Sequence, residues 1–151
     1  MRNDFLSLLF AVVVLCIGAG VEEMLPKFLG VGVPALLAAS LVMSVRRPVE
    51  AVLFAIAAGA VEDALSSMPA MTSVSFFLMA AGLVRRAPLP RAAAILVYPA
   101  YQVWLAAWTG GMGGSVFGRV LVAVPVGAVA VFAAEWLILL AERRAAIGEQ
   151  G

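Results

Sequence analysis

Residues 123–141 read AVPVGAVAVFAAEWLILLA, and residues 8–20 read LLFAVVVLCIGAG. A helix needs around 20 apolar residues to cross about 30 Å of hydrocarbon, and only helices and closed barrels satisfy all their backbone groups there. Strands of a membrane barrel alternate apolar with polar residues, whereas these two runs do not alternate. Both stretches are therefore predicted to be membrane-crossing helices.

The whole chain has the composition of a membrane protein. Of its 151 residues, 64% are hydrophobic and 13% are charged, whereas soluble proteins have roughly half apolar and about a quarter charged residues. The net charge is +1, and the ten Lys and Arg residues occur in small clusters between apolar runs, so no basic face is available for nucleic acid. We expect a single integral-membrane helical domain over residues 1–151, with no nucleic-acid partner.

Six apolar stretches are separated by short segments that contain Pro, Gly, Ser or Arg. They are predicted as spans at 4–21, 28–45, 49–67, 71–85, 91–108 and 116–141. Because the connections are short, consecutive helices should be antiparallel neighbours. The predicted fold class is therefore all-α: a polytopic membrane protein, folded as a compact bundle of about six transmembrane helices.

The distribution of basic residues predicts the orientation, because Lys and Arg are retained on the cytoplasmic side of a membrane. One side of the six-span topology receives Arg2, Arg46, Arg47, Arg85, Arg86, Arg91, Arg143 and Arg144. The other side receives Lys27 and Arg119, together with Glu22, Glu23, Glu62 and Asp63. We expect a multi-pass protein of the inner (cytoplasmic) membrane, with both termini in the cytoplasm and an acidic outer face.

Several classes of catalytic and metal site lack their residues in this chain. It contains no histidine, which is the commonest general base and metal ligand at neutral pH, and Cys16 is its only cysteine. A paired-aspartate protease needs two aspartates in the bilayer, but the only aspartate besides Asp63 is Asp4 at the amino terminus. The glycine-rich run of residues 110–114 is not followed by the lysine that a phosphate-binding loop contains. We expect no catalytic residue, no cofactor and no metal.

Two adjacent acids, Glu62 and Asp63, interrupt the apolar stretch FAIAAGAVEDALSSMPAMTSVSFFLMAAGLVRR of residues 54–86. A carboxylate costs about 2.5 kcal/mol or more at the bilayer centre and less near the interface, so both side chains should face protein or water. Glu62 is expected to extend outward to the interface. Asp63 either does the same or is buried against another helix.

Helical spacing places Gly59, Asp63 and Ser66 or Ser67 on one side of the third span. A glycine on that side allows close approach of another helix, so a close contact and a polar patch share one face. Pro69 then ends the segment. These residues are the candidate packing or partner contacts of the third span.

Two more candidates lie in the fifth and sixth spans. Gln102 is expected to form a hydrogen bond between helices, which is the commoner role of a single buried amide in a membrane. Arg119 is the nearest charge-matched partner for a buried Asp63, and Lys27 is the second. An ion pair would lessen the desolvation cost that either charge bears alone.

The segment 45–86 resembles the MreD family of bacterial rod-shape-determining membrane proteins. Members have a similar length and six predicted spans, and one helix passes through Gly and reaches Asp, then Leu, Ser and Pro, before the next apolar helix. The matching residues are Gly59, Asp63, Leu65, Ser66 and Pro69, preceded by Arg46, Arg47 and Pro48. Family members usually have a glycine after the serine and another after the proline, where this chain has Ser67, Met68 and Ala70.

This resemblance implies a non-enzymatic integral-membrane component of the bacterial cell-elongation (rod) complex, or elongasome, in the inner membrane. Such a component acts in cell shape and peptidoglycan synthesis. Its implied partners are membrane lipids, an MreC-like protein, the filament protein MreB, and the RodA polymerase with its transpeptidase partner.

The chain also resembles the substrate-capture (S) subunit of an energy-coupling-factor vitamin transporter, which is a compact six-helix bundle of this size. A capture subunit needs an outward-facing pocket that is lined by aromatic and polar groups. The outer segment 62–72, together with Tyr98, Tyr101, Gln102 and Trp104, could supply one. The same aromatic residues also suit anchoring at the membrane interface. This transporter role is the alternative to the elongation role.

Overall fold

The computed structural model describes residues 2–25, 31–66, 69–109 and 114–148. Within these ranges the chain forms six α-helices and no strand. They are α1 (Arg2–Met24), α2 (Ala35–Arg46), α3 (Pro48–Ser66), α4 (Thr72–Arg86), α5 (Pro90–Thr109) and α6 (Gly114–Gly148). The helices follow the order of the six predicted spans, so the all-α prediction is confirmed for the described residues.

The second helix is the centre of the fold. Nine consecutive residues of α2, 36–44, are buried, and α2 contacts all five other helices. A helix that is apolar all round is typically a buried one. With 12 residues α2 is only about 18 Å long, which is less than the thickness of the hydrocarbon layer.

The predicted second span at 28–45 is wrong at its start, because the helix begins only at Ala35. Pro34 disfavours helical backbone at the residue before it, so α2 cannot extend back through Val33. Residues 31–34 instead pack as non-helical chain, with Val31 and Pro34 buried. The sixth helix differs in the other direction, because α6 continues to Gly148, past the predicted end at 141.

Ion pairs bring the basic segments of distant helices to one end of the bundle. Arg46 at the end of α2 lies 2.7 Å from Glu142 of α6, and Arg91 at the start of α5 lies 2.6 Å from Glu135 of α6. We call this end, with the loops after α2 and α4, the arginine end. The opposite end contains Glu22, Glu62 and Asp63, and we call it the acidic end.

One stretch among the described residues, Val116–Arg143, is by itself long and apolar enough to cross a bilayer, with 28 residues and a mean hydropathy of 2.2. The helix Ala35–Arg46 is apolar but shorter. Large apolar side chains also cover the outside of the molecule, and Leu53, Leu83 and Phe117 are each exposed by 70% or more. These features support association with a membrane.

Candidate functional site

The third and fourth helices touch backbone to backbone at Gly59. A Cβ atom added at this buried glycine would lie 2.6 Å from the Cα atom and 2.7 Å from the nitrogen of Val74. No side chain fits at these distances unless the backbone of α4 moves. The close approach that the sequence predicted for Gly59 is therefore present, and it fixes the start of α4 against α3.

Asp63 lies one turn beyond Gly59 and binds the amino terminus of α4. Its side chain is 6% exposed, and its Oδ1 atom accepts a hydrogen bond of 2.7 Å from the backbone nitrogen of Ser73. Met71, which precedes α4, has a left-handed backbone with φ of 73° and provides no capping hydrogen bond from its side chain. Asp63 therefore supplies the cap that the local sequence lacks.

The predicted ion pair between Asp63 and Arg119 is absent among the described residues. Asp63 uses Oδ1 for Ser73, its Oδ2 atom is buried without a hydrogen-bond partner, and Arg119 is exposed on α6. The positive end of the α4 dipole and its free peptide N–H groups stabilise the carboxylate instead. Lys27, the other predicted partner, lies outside the described residues.

Ser66 and Pro69, the other candidate contacts of the third span, form no hydrogen bond with Asp63 in the described structure. Ser66 is exposed, and its hydroxyl donates to the carbonyl oxygen of Glu62 at 2.6 Å. Pro69 is exposed as well, and its carbonyl accepts from the nitrogen of Thr72 at 3.2 Å, which closes the turn before α4. Ser67 lies outside the described residues.

Aromatic side chains of α5 hold the first turn of α4 from the other side. The hydroxyls of Ser73 and Tyr101 are 2.6 Å apart, and the indole nitrogen of Trp104 donates to the carbonyl of Thr72 at 3.2 Å. The ring of Phe76 packs between these two aromatic residues, with centroid distances of 4.9 Å and 5.8 Å. Tyr101 is thus buried in the bundle and is not an interfacial anchor.

Among the described residues, no hydrogen bond joins Gln102 to another helix, in contrast to its predicted role. Gln102 lies one turn after Tyr98 on the same helix and is half-buried. The Tyr98 hydroxyl in turn donates to the carbonyl of Gly32, in the non-helical chain before α2. Tyr98 therefore links α5 to the non-helical chain before α2.

Two glutamates, Glu22 and Glu62, lie next to each other at the acidic end, and their proximity was not predicted from the sequence. Oε1 of Glu22, near the end of α1, accepts a hydrogen bond of 2.6 Å from the nitrogen of Leu36 and so caps the amino terminus of α2. The side chain of Glu62 on α3 lies beside this carboxyl at the acidic end. Glu62 is half-buried beside Glu22, whereas the sequence predicted that it extends outward to the interface.

A cleft of about 260 Å³ opens beside the glutamate pair. Its polar lining comes from four helices and includes Glu22, Glu23, Glu62, Ser66, Tyr98, Tyr101, Gln102, Thr109 and Arg119. Leu37, Phe77 and Leu105 provide apolar wall. One water needs about 10–15 Å³ of such space, so the cleft has room for a small molecule.

The side chains that line the cleft are suited to binding a polar ligand. Its lining contains carboxyl, phenol, amide and guanidinium groups but no histidine or cysteine. No group of three potential metal ligands occurs among the residues that the structure describes. The cleft can therefore hold a ligand through hydrogen bonds and charge.

No family model, curated protein or solved structure gives a significant match to this chain.

Proposed function

We propose that this chain is a non-enzymatic, MreD-like integral component of the bacterial cell-elongation complex, acting in cell shape and peptidoglycan synthesis. The observation that supports the proposal is the junction of α3 and α4, where Gly59 meets Val74 and Asp63 caps α4. These are two of the residues on which the resemblance rests. A pattern of Gly, Asp and Pro at this spacing has a physical reason if it builds such a junction.

The proposed protein is multi-pass and lies in the inner membrane, with the arginine end in the cytoplasm. Ion pairs of Arg46 and Arg91 with α6 place basic segments from three helices on one side, and that grouping is expected of cytoplasmic loops. The proposed partners are membrane lipids, an MreC-like protein, MreB, and RodA with its transpeptidase partner. In this role α2 is shielded from lipid by the other helices and need not span the bilayer alone.

Cysteine-accessibility labelling in cells tests the topology. On a Cys16→Ala background, we expect single cysteines at 27, 69 and 111 to react with a membrane-impermeant reagent in intact cells. Cysteines at 46, 86 and 144 should react only after permeabilisation, because the arginine end faces the cytoplasm. Labelling of position 69 only after permeabilisation would contradict the six-span arrangement.

Depletion of the protein tests the role in elongation. We expect rod-shaped cells to become round, because wall synthesis would lose its spatial guidance, and we expect the purified protein to co-isolate with an MreC-like protein. The matched control is re-expression of the native chain, which should restore the rod shape. Normal shape after full depletion would overturn the elongation role.

The cleft favours a second candidate function, the substrate-capture subunit of an energy-coupling-factor vitamin transporter. Such a subunit needs a pocket with aromatic and polar lining, and Tyr98, Tyr101 and Gln102 line the cleft. The two functions separate in one depletion experiment. Loss of vitamin uptake with normal cell shape supports the capture subunit, as would neighbouring genes for paired ATPases.

A further inference from the structure

The glutamate pair leaves the cleft with an excess of acid. Among the described residues, three carboxyl side chains line it, those of Glu22, Glu23 and Glu62, against one cation, Arg119. No ion pair within the described part of the chain joins Arg119 to any of the three acids. The described residues thus place the carboxyl groups of Glu22 and Glu62 side by side, with no ion pair to either of them among these residues.

An ammonium group can supply a positive charge between these two carboxyl groups. It has several N–H donors, so it can bind both carboxylates at once, and charge-assisted hydrogen bonds of this kind are among the strongest in proteins. The Oε1 atom of Glu22 already accepts a hydrogen bond from the nitrogen of Leu36, and this bond holds the carboxyl in place before a ligand binds. Arg119 lines the same cleft and forms no ion pair or hydrogen bond with the residues that the structure describes, so its guanidinium can donate to an anionic group.

We infer that the cleft binds a small zwitterion, with its primary ammonium between Glu22 and Glu62 and its phosphate or carboxylate on Arg119. The volume of about 260 Å³ lies just below the usual range for drug-sized ligands, which fits a molecule the size of a lipid headgroup. The ligand's source is either phosphatidylethanolamine in the bilayer or a free amine of the same chemistry. This inference goes beyond both proposed functions and depends on neither.

The test uses full-length protein in nanodiscs of phosphatidylcholine, titrated with phosphoethanolamine by calorimetry. We expect saturable binding, with phosphocholine at least about tenfold weaker, because its quaternary ammonium has no N–H to donate. Glu62→Gln and Arg119→Gln should each weaken binding about tenfold or more. The controls Glu135→Gln and Arg86→Gln remove the same charges at the arginine end and should leave binding unchanged.

A second arm identifies the source of the ligand. Protein in nanodiscs that also contain phosphatidylethanolamine is released for native mass spectrometry, and retention of that lipid by the native chain but not by Glu62→Gln supports the bilayer as the source. Binding of free phosphoethanolamine without lipid retention supports a water-soluble ligand. Absence of binding in both arms overturns the inference. Binding that Glu62→Gln or Arg119→Gln leaves intact overturns it as well, provided that circular dichroism shows the variant folded.

Discussion

Replacing Gly59 by leucine should destabilise the protein by about 3 kcal/mol or more and largely remove it from the membrane. The reason is steric: even the first side-chain carbon would lie 2.6 Å from the Cα atom of Val74, and the atom that it meets is backbone. A flexible side chain could turn away, but a helix backbone must move as a whole. Gly59→Ala should therefore also destabilise, by about 1–3 kcal/mol.

Unfolding of the purified variants in detergent and their abundance in membranes measure this effect. The matched control is Gly82 on α4, where an added Cβ meets no atom within 4 Å and the residue is exposed. Gly82→Leu should change the unfolding free energy by less than about 1 kcal/mol. If Gly59→Leu unfolds like the native chain, α3 and α4 do not pack as closely as the structure shows.

The number and order of the helices could be predicted from the sequence because apolar runs and their interruptions are local features. The central place of α2 could not. Its sequence ALLAASLVMSVR is apolar on all sides, and a helix surrounded by protein and one surrounded by lipid need the same kind of residues. The start of α2 at Ala35 could have been predicted from Pro34, because a proline disfavours helical backbone at the residue before it. The predicted span at 28–45 did not take this effect into account.

The site was only partly predictable for a similar reason. Gly59 and Asp63 were identified because they lie four residues apart on one helix, which is a local spacing. Glu22 and Glu62 are 40 positions apart on different helices, and no feature of the sequence pairs them. The predicted ion pair between Asp63 and Arg119 was based on side-chain charges alone. The donors that Asp63 actually uses are closer and belong to the backbone: the peptide N–H groups at the start of α4.

In the described structure, two helices are capped at the amino terminus by an acidic side chain of the preceding helix. Glu22 near the end of α1 caps α2 at Leu36, and Asp63 near the end of α3 caps α4 at Ser73. Pro34 and Met71, the residues that precede these two helices, form no capping hydrogen bond through their side chains. In each case the free N–H groups of a buried helix start are satisfied by an acid from the preceding helix. The two acids thus position the helix starts around the cleft.

Removal of the second cap is the other large effect that we expect. Asp63→Ala should destabilise the protein by about 1–3 kcal/mol, because the nitrogen of Ser73 would lose its acceptor in a buried place. Asp63→Asn should be within about 1 kcal/mol of the native chain, since the amide oxygen can still accept that hydrogen bond. Unfolding in detergent, compared among the native chain and the two variants, is the measurement.

Arg119→Ala is the matched control, because the ion pair predicted from the sequence and the cap seen in the structure give different outcomes for it. If Asp63 acts as a cap, Arg119→Ala should have little effect on stability, and the double variant should equal the sum of the single variants within about 0.5 kcal/mol. An ion pair would make both single variants costly and the double variant no worse than either. An Asp63→Ala variant as stable as the native chain would mean that the carboxylate extends to the interface and caps nothing.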